Sequence, residues 1–228
     1  MIPPDDRFKY ALFDLDNTLA DRAAAVRQLA AQLYESDLLD KAAISVDEAI
    51  ETFVELDQDG YAPDKILFFT QTADAWGPMR RSPEELDEWY RAAPRNWYEP
   101  DPEIVIFLAE ITAAEVAWGI VTNGPASQIE KARLMGLDTG AKCILVSDVF
   151  GAEKPDPSIF LEALQQLGDP APNEVLFIGD NPEADIGGGQ GVGMATAWIR
   201  RGREWPASLA PPDFTLETVL ETRRLMAV

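Results

Sequence analysis

Short apolar runs alternate with stretches of helical spacing over the second half of the chain. Four of these runs predict strands, at residues 117–121, 143–147, 175–178 and 195–199. Helices are predicted between them at 126–135 and 157–167, because apolar residues recur there every three or four positions and a glycine follows each stretch. Strands that alternate with helices are typical of a parallel sheet with crossover helices. The pattern therefore predicts an α/β fold.

Residues 21–100 show a different pattern. Leu29 and Leu33 fall on one face of a helical stretch, and two capping boxes, beginning at Ser45 and Ser82, precede further stretches of helical spacing. We find no convincing alternation of apolar and polar residues of the kind that marks a half-buried strand. The pattern predicts that this segment is entirely helical.

The two patterns together predict how the chain is organised. The helical segment interrupts an α/β unit after its first strand, which we place at residues 10–13. We expect one domain formed by residues 1–20 and 101–228 and a second, inserted domain formed by residues 21–100. The last apolar stretch, at 214–225, is predicted to be a final packing helix.

Composition and charge narrow the possible functions. Acidic residues outnumber basic ones by 40 to 19, and the net charge of −21 disfavours a nucleic-acid polymer or an anionic membrane surface as partner. The chain has no histidine, which excludes mechanisms that need an imidazole base, and its single cysteine, Cys143, excludes an internal disulfide. With neither a signal-peptide pattern nor an apolar run long enough to cross a bilayer, we expect a cytoplasmic protein.

Two carboxylates, Asp14 and Asp16, follow the first predicted strand. A regular strand would direct both to one face, where two ionised groups repel each other in a dry site. A divalent cation such as Mg²⁺ removes that conflict, because hard cations prefer oxygen ligands. One carboxylate is then available to attack an electrophile and the other to transfer a proton. The alternative is a strand that runs into an acidic turn, with Asp16 and Asn17 as turn residues.

Polar residues also follow two other predicted strands. Thr122, Asn123 and Gly124 suit an anion-binding turn, in which backbone N–H groups converge on phosphate oxygens, although an ordinary capped turn has the same composition. Lys154 precedes a Pro-Asp-Pro segment that stiffens the backbone beside it. The alternative for this residue is a solvated surface lysine.

A second pair of aspartates comes later in the chain. Asp180 follows a hydrophobic strand and Gly179, and Asp185 lies about one turn into the next helix. Asp180 is placed to reach a cation, with Asp185 supporting it from the outer coordination shell, while helix capping by Asn181 is the alternative. Every polar segment lies at the carboxyl end of a predicted strand, where open α/β sheets bind ligands. We therefore expect one shared site.

Taken in order, these segments resemble the motifs of the haloacid dehalogenase-like (HAD) hydrolase superfamily across essentially the whole chain. The matching residues are Asp14-Leu15-Asp16-Asn17-Thr18, Thr122, Lys154, and Gly179-Asp180 with Asp185. The insertion between the first and second motifs resembles the helical cap of subfamily I. The resemblance implies a Rossmann-like parallel-sheet core with an inserted all-helical cap domain, which we expect to choose the substrate.

The resemblance also implies a role for each aspartate. Asp14 is the nucleophile and forms an aspartyl-phosphate, which divides one difficult displacement into two easier ones. Asp16 protonates the leaving alkoxide and then deprotonates the hydrolytic water. The cofactor is Mg²⁺, held by the carboxylates of Asp14 and Asp180 and by the backbone carbonyl of Asp16, with Asp185 in the outer shell.

The remaining motif residues are expected to bind the phosphoryl group. By the same resemblance, Lys154 neutralises charge on the transferring oxygens, and Thr122 and the N–H of Asn123 donate hydrogen bonds to them. The predicted function is a Mg²⁺-dependent phosphatase that hydrolyses a small phosphorylated metabolite, such as a nucleotide or a sugar phosphate.

Related activities of the superfamily are the alternatives. Haloacid dehalogenases do not use an aspartate at the position of Asp16 for acid–base work, and phosphomutases typically carry glycine at the position of Asn17. The Asp-Asn-Thr-Leu sequence looks more like that of nucleotidases and acylneuraminate-phosphate phosphatases. A non-catalytic binding protein on the same scaffold is a further alternative, which the complete set of motif residues disfavours.

A group of arginines stands out in the acidic helical segment: Arg80, Arg81, Arg91 and Arg95. One interpretation is that they meet a second anionic group of the substrate, since guanidinium pairs well with carboxylate and phosphate. The other interpretation is a solvated helix face.

Overall fold

The computed structural model describes residues 8–60, 64–92 and 97–227. The chain divides into two compact units, one formed by Met1–Ala20 with Pro100–Val228 and the other by Asp21–Glu99. Within the described residues, no helix is both long enough and apolar enough to span a membrane.

The first unit is built on a six-stranded parallel sheet. Its strands are β1 (Tyr10–Phe13), β2 (Ala117–Thr122), β3 (Ile144–Val146), β4 (Val175–Gly179), β5 (Ala195–Ile199) and β6 (Phe214–Leu216). They lie in the order β3-β2-β1-β4-β5-β6, and every neighbouring pair is parallel. The first strand is therefore central, and its Tyr10 is in register with Ala117 of β2 and Val175 of β4. This architecture confirms the predicted α/β parallel-sheet fold.

Helices connect these strands. They are α5 (Pro102–Ala113), α6 (Ser127–Leu134), α7 (Ser147–Phe150), α8 (Pro157–Gln166) and α9 (Gly188–Gly191), with a π-helix at Pro182–Gly187 and a 3₁₀ helix at Pro172–Glu174. Both α5 and α8 begin with a proline preceded by an aspartate cap: the Asp101 side chain accepts from Glu103 N and that of Asp156 from Ser158 N, each at 2.8 Å. These caps satisfy backbone donors that the first helical turn leaves without partners.

The sheet of this unit is buried. All five residues of β4 are inaccessible or nearly so, and a hydrophobic cluster under the sheet joins Leu12 and Val121 to Phe160 of α8 and Phe177 of β4. The rings of Phe160 and Phe177 meet edge to face at 5.0 Å, a favourable aromatic geometry. Strands that are buried on both faces have nearly continuous apolar sequences, and such runs in the sequence correctly predicted these strands.

The prediction of a helix at 214–225 is wrong. Phe214–Leu216 forms β6, which pairs with β5 through Ala197↔Phe214 and Ile199↔Leu216, and a 3₁₀ helix follows at Val219–Leu225. Phe214 and Leu216 are spaced two apart, and this alternation fits an edge strand better than a helix. The 3₁₀ helix buries Val219, Thr222 and Leu225, which lie three residues apart on one face.

The second unit is helical over its described residues. It contains α1 (Arg22–Ser36), α2 (Val46–Asp57), α3 (Lys65–Trp76) and α4 (Pro83–Ala92), with a 3₁₀ turn at Gln58–Gly60. Its core is aromatic: Trp76 lies at 5.6 Å from Phe53 between ring centroids, and its indole N–H donates to the Ala49 carbonyl over 3.1 Å. Phe53 and Phe68 meet at 4.8 Å. The unit therefore has a hydrophobic core of its own.

Candidate active site

The motif residues meet at the carboxyl ends of three neighbouring strands. Asp14 directly follows β1, Thr122 is the last residue of β2, and Asp180 directly follows β4. Because β1 lies between β2 and β4, parallel pairing brings these three positions together. Asp14 continues the ladder, since its N–H donates to the Ile178 carbonyl over 2.8 Å.

Three buried aspartates form one cluster. A carboxylate oxygen from each of Asp14, Asp180 and Asp185 lies within 4.8 Å of the others. Burial raises the pKa of Asp14 well above its usual value; Lys154 opposes this shift, and the charges of Asp185 and Asp180 add to it. Burial likewise raises the pKa of Asp180 to about 7. Carboxylates gathered in a dry site favour a bound cation, and an all-oxygen donor set of this kind fits Mg²⁺.

Lys154 neutralises part of this acidic cluster. Its Nζ donates to Asp14 Oδ1 over 2.7 Å, to Asp185 Oδ1 over 2.6 Å and to the Val121 carbonyl over 2.8 Å. Burial alone would lower the pKa of the Lys154 ammonium, but the neighbouring Asp14 and Asp185 carboxylates raise it above its usual value. The ammonium is therefore charged and fixed beside Asp14.

Asp185 belongs to the same cluster and depends on a close approach to Gly179. Its Oδ2 accepts from the Asn181 N–H over 2.9 Å, while its Oδ1 binds Lys154. A Cβ atom at position 179 would lie only 2.3 Å from Asp185 Oδ2, so this position requires glycine. Asn181 caps the π-helix that carries Asp185, as its Oδ1 accepts from the N–H groups of Glu183 and Ala184 at 2.9 Å each.

Asp180 also forms hydrogen bonds with Arg203. The guanidinium donates to Asp180 Oδ2 over 3.0 Å and to the Asp180 carbonyl over 2.8 Å. That carbonyl also accepts from the indole N–H of Trp198 over 2.9 Å. These contacts orient a carboxylate of the cluster, as outer-shell groups do for metal ligands.

Asp16 points to a different set of partners. Both of its carboxylate oxygens accept from Lys131 Nζ at 2.6 Å, and Oδ2 also accepts from Gln128 Nε2 at 2.8 Å. The chain turns sharply here, because Asn17 has a φ of 61° and its N–H donates to the Ala20 carbonyl over 2.8 Å. The turn takes Asp16 out of the strand geometry that would have placed it on the face of Asp14.

Thr122 and Asn123 line the end of β2. The Thr122 hydroxyl is buried and accepts from Gln128 Nε2 over 3.3 Å. The Asn123 side chain holds the main chain of Lys154: Nδ2 donates to the Lys154 carbonyl over 2.9 Å, and the Lys154 N–H donates to Oδ1 over 2.8 Å. The side chain of Asn123 therefore fixes the lysine backbone.

Comparison with known proteins identifies the family. The profile of the family described as "Hydrolase: haloacid dehalogenase-like hydrolase" matches residues 8–193 of the 228. This chain is a HAD-like hydrolase. The match confirms the predicted superfamily of hydrolases.

Three similar proteins show the range of this HAD-like hydrolase's relatives. A phosphoserine phosphatase of Thermus thermophilus is 34% identical over 68% of this chain and 61% of its own length, so the chain spans about three fifths of that relative. The pyrimidine 5'-nucleotidase YjjG of Escherichia coli is 35% identical over 67% of this chain and 68% of its own length. The crystal structure of a HAD phosphatase from Thermococcus onnurineus superposes with a TM-score of 0.65 and 29% identity, covering 96% of this chain and 99% of that one.

The structure places the predicted site residues of this HAD-like hydrolase in two adjoining groups. Asp14, Lys154, Asp180 and Asp185 form the buried cluster, and Asp16 joins Thr122 through Gln128. Sequence reasoning missed Lys131, Gln128 and Arg203. Lys131 and Gln128 are three apart on the helix after Thr122, and that spacing places both on one helical face.

Three of the four arginines singled out in the helical segment have partners inside that unit, and Arg80 Nε donates to the Ser36 carbonyl over 3.3 Å. Arg81 donates to Asp37 Oδ1 from Nε at 2.7 Å and lies 4.4 Å over the Trp89 ring. Arg91 donates to Asp87 over 2.9 Å, one turn earlier on the same helix. Arg95 lies outside the described residues.

Proposed function

We propose that this HAD-like hydrolase is a Mg²⁺-dependent phosphatase that cleaves a small phosphomonoester through an aspartyl-phosphate. The observation that carries the proposal is the placement of Asp14, whose buried carboxylate contacts the Lys154 ammonium and has an oxygen within 4.8 Å of the carboxylate oxygens of Asp180 and Asp185. The phosphoserine phosphatase and the pyrimidine 5'-nucleotidase support it, since the names of both relatives describe hydrolysis of phosphomonoesters.

The metal is proposed to be held by Asp14, Asp180 and the backbone carbonyl of Asp16. Asp185 is proposed to lie in the outer coordination shell, where it accepts a hydrogen bond from Lys154. When bound, Mg²⁺ supplies positive charge that stabilises the phosphoryl oxygens in the transition state. All donors in the set are oxygens, as a hard cation of this size requires.

In the first step, a carboxylate oxygen of Asp14 attacks phosphorus and the P–O bond to the leaving alkoxide breaks. Asp16 enters this step protonated and gives its proton to that alkoxide. Lys154, the Thr122 hydroxyl and the N–H of Asn123 stabilise charge on the phosphoryl oxygens, which is the main requirement of phosphoryl transfer. The product of this step is an alcohol and an aspartyl-phosphate on Asp14.

In the second step, water attacks the phosphorus of the aspartyl-phosphate. Asp16, now ionised, accepts a proton from that water, the P–O bond to Asp14 breaks, and inorganic phosphate leaves. Asp14 regains its carboxylate and Asp16 its proton, so the enzyme returns to its starting state. The presence of Asp16 favours this cycle over dehalogenation, and Asn17 favours it over a phosphomutase.

The substrate is proposed to be a small phosphorylated metabolite of the cytoplasm, such as a nucleotide or a sugar phosphate. A net charge of −21 disfavours a polymeric nucleic acid or an anionic membrane as partner. The α/β unit supplies all of the residues assigned to chemistry, and we assign the choice of substrate to the helical insertion at residues 21–100.

Hydrolysis of p-nitrophenyl phosphate tests the proposal, followed by a panel of nucleotides, sugar phosphates, phosphoserine and phosphoglycolate. We expect turnover with Mg²⁺, none in excess EDTA, recovery when Mg²⁺ is added back, and poor recovery with Ca²⁺, whose looser coordination disturbs the line of attack. No turnover of any phosphomonoester with Mg²⁺ would leave a binding protein on this scaffold as the better account. Full activity in chelator would refute the metal role.

A further inference from the structure

We propose that Lys131 and Gln128 are positioning residues for Asp16, holding its carboxylate where proton transfer takes place. The inference rests on the proposed function, in which Asp16 serves the leaving group and then the water. The two residues share a face of α6, the helix that follows the phosphate-binding turn at Thr122 and Asn123.

The contacts leave Asp16 little freedom. Lys131 Nζ lies 2.6 Å from each carboxylate oxygen, and Gln128 Nε2 lies 2.8 Å from Oδ2. The Lys131 side chain is 1% exposed and that of Asp16 is 23% exposed. The carboxylate therefore binds a buried ammonium and is itself partly exposed. That is the arrangement expected of a group that must meet a substrate in a fixed orientation.

Gln128 also links the two parts of the site. Besides Asp16, its Nε2 contacts the Thr122 hydroxyl at 3.3 Å and the Asn123 carbonyl at 3.4 Å. Gly124 makes room for it: a Cβ atom there would lie 3.1 Å from Gln128 Nε2, and the φ of Gly124 is +139°. One amide thus sets the position of Asp16 relative to the residues assigned to the phosphoryl oxygens.

A structural role for Lys131 is the competing account. A buried ammonium needs an anionic partner, and any nearby carboxylate would satisfy it. The carboxylate that Lys131 contacts is that of Asp16, the proposed acid and base, which lies 115 residues away in the chain. If Lys131 positions Asp16, replacing Lys131 should slow substrates whose leaving group must be protonated more than substrates whose leaving group departs without a proton. If Lys131 only stabilises the fold, the replacement should slow every substrate equally.

The test compares two phosphomonoesters with different leaving groups. An alkyl phosphate that the wild-type protein hydrolyses needs protonation of its alkoxide, whereas 2,4-dinitrophenyl phosphate releases a stable phenolate without it. For Lys131→Met we expect kcat/KM on the alkyl phosphate to fall by about 100-fold, the scale of general acid–base catalysis, and kcat/KM on the activated ester to change by less than about threefold. This ratio reports the steps up to phosphoryl transfer to Asp14, before the hydrolysis in which Asp16 serves both esters. Lys131→Arg should recover part of the loss, and Lys142→Met, at an exposed lysine, is the matched control.

Two further variants guard against misfolding and against indirect effects. Gln128→Met keeps the Lys131–Asp16 ion pair and should give a smaller loss with the same dependence on leaving group. Asp16→Asn combined with Lys131→Met should be no slower on the alkyl phosphate than Asp16→Asn alone, because both changes remove the same function. Additive losses in the double variant, or equal losses of kcat/KM on the two esters, would overturn the positioning role while leaving the phosphatase intact. A wild-type protein that hydrolyses neither ester would overturn the proposed function, and this inference with it.

Discussion

The side chain of Asn123 and the main chain of Lys154 exchange two hydrogen bonds, of 2.9 and 2.8 Å. The pair joins the turn after β2 to the segment that carries the lysine, two parts of the chain 31 residues apart. From this fixed backbone the Lys154 side chain reaches Asp14, Asp185 and the Val121 carbonyl. The ammonium is thus positioned at both ends of its side chain.

The first prediction is that Asn123→Ala weakens both the fold and the catalytic site. Removing both hydrogen bonds leaves the N–H and C=O of Lys154 without these partners, and we expect a loss of about 1–3 kcal/mol in the free energy of unfolding. Urea denaturation measures the stability and steady-state kinetics the activity. Asn173→Ala, at an exposed position, is the control. Unchanged stability and turnover in Asn123→Ala would show that the two hydrogen bonds to the Lys154 main chain are dispensable.

The second prediction concerns the nucleophile. Asp14→Asn is nearly isosteric but removes the attacking oxygen anion, so we expect a folded protein whose turnover falls by roughly three orders of magnitude or more. Acid quench of the wild-type reaction with a labelled substrate should trap phosphate on the protein, and the variant should trap none. Asp148→Asn, at an exposed aspartate, should behave as wild type. Survival of activity within a few-fold would assign the attack to another residue.

The third prediction tests the close contact between Gly179 and Asp185. In Gly179→Ala the added methyl group would lie 2.3 Å from Asp185 Oδ2, so the aspartate must move and its bonds to Lys154 and Asn181 must weaken. We expect a loss of about 1–3 kcal/mol in stability, as for other overpacked sites, and weaker Mg²⁺ binding by titration calorimetry. Gly191→Ala is the matched control, because nothing lies within 4 Å of a Cβ atom there. Equal metal affinity in the two variants would contradict the prediction.

The fourth prediction concerns pH and the protein without metal. Burial raises the pKa of Asp180 to about 7 in the folded state, against about 3.9 for aspartate in an unfolded chain. Between these values the folded protein binds a proton that the unfolded chain has lost, so stability falls as pH rises from about 4 to about 7. In EDTA, thermal unfolding should show a steeper fall in Tm over pH 5 to 7 for the wild type than for Asp180→Asn. Parallel curves would show that Asp180 titrates normally.

The sequence located the strands and the motif residues because both leave local signals. Buried strands such as Val175–Gly179 appear as unbroken apolar runs, and each motif follows such a run. The segment Phe214–Leu216 is a three-residue strand at the edge of the sheet. Three residues show the alternation of a strand only once, and the helical spacing of the residues that follow concealed it. The prediction failed there because the strand depends on its partner β5.

The partners of Asp16 and Asp180 left no comparable local signal. Lys131 and Arg203 lie 115 and 23 residues from the aspartates they contact, and a lysine on a predicted helix is most often solvated. Only the folded chain shows that Lys131 is buried and that the turn at Asn17 directs Asp16 towards it. Contacts between side chains that are distant in the chain depend on tertiary packing, so the sequence alone did not predict them.

The central position of β1 has a consequence for synthesis of the protein. Phe13 pairs with Ile120 on one side and Ile178 on the other, so β1 is translated first among the strands and has both neighbours only when β4 has emerged. At ribosomal rates the wait is on the order of ten seconds or more. During that time the apolar strand is an exposed edge, while the helical unit Asp21–Glu99, with its own core, is free to fold. Ribosome-bound chains that stop before Val175 should therefore engage chaperones through Tyr10–Phe13, and those long enough for Val175–Gly179 to have left the exit tunnel should release them.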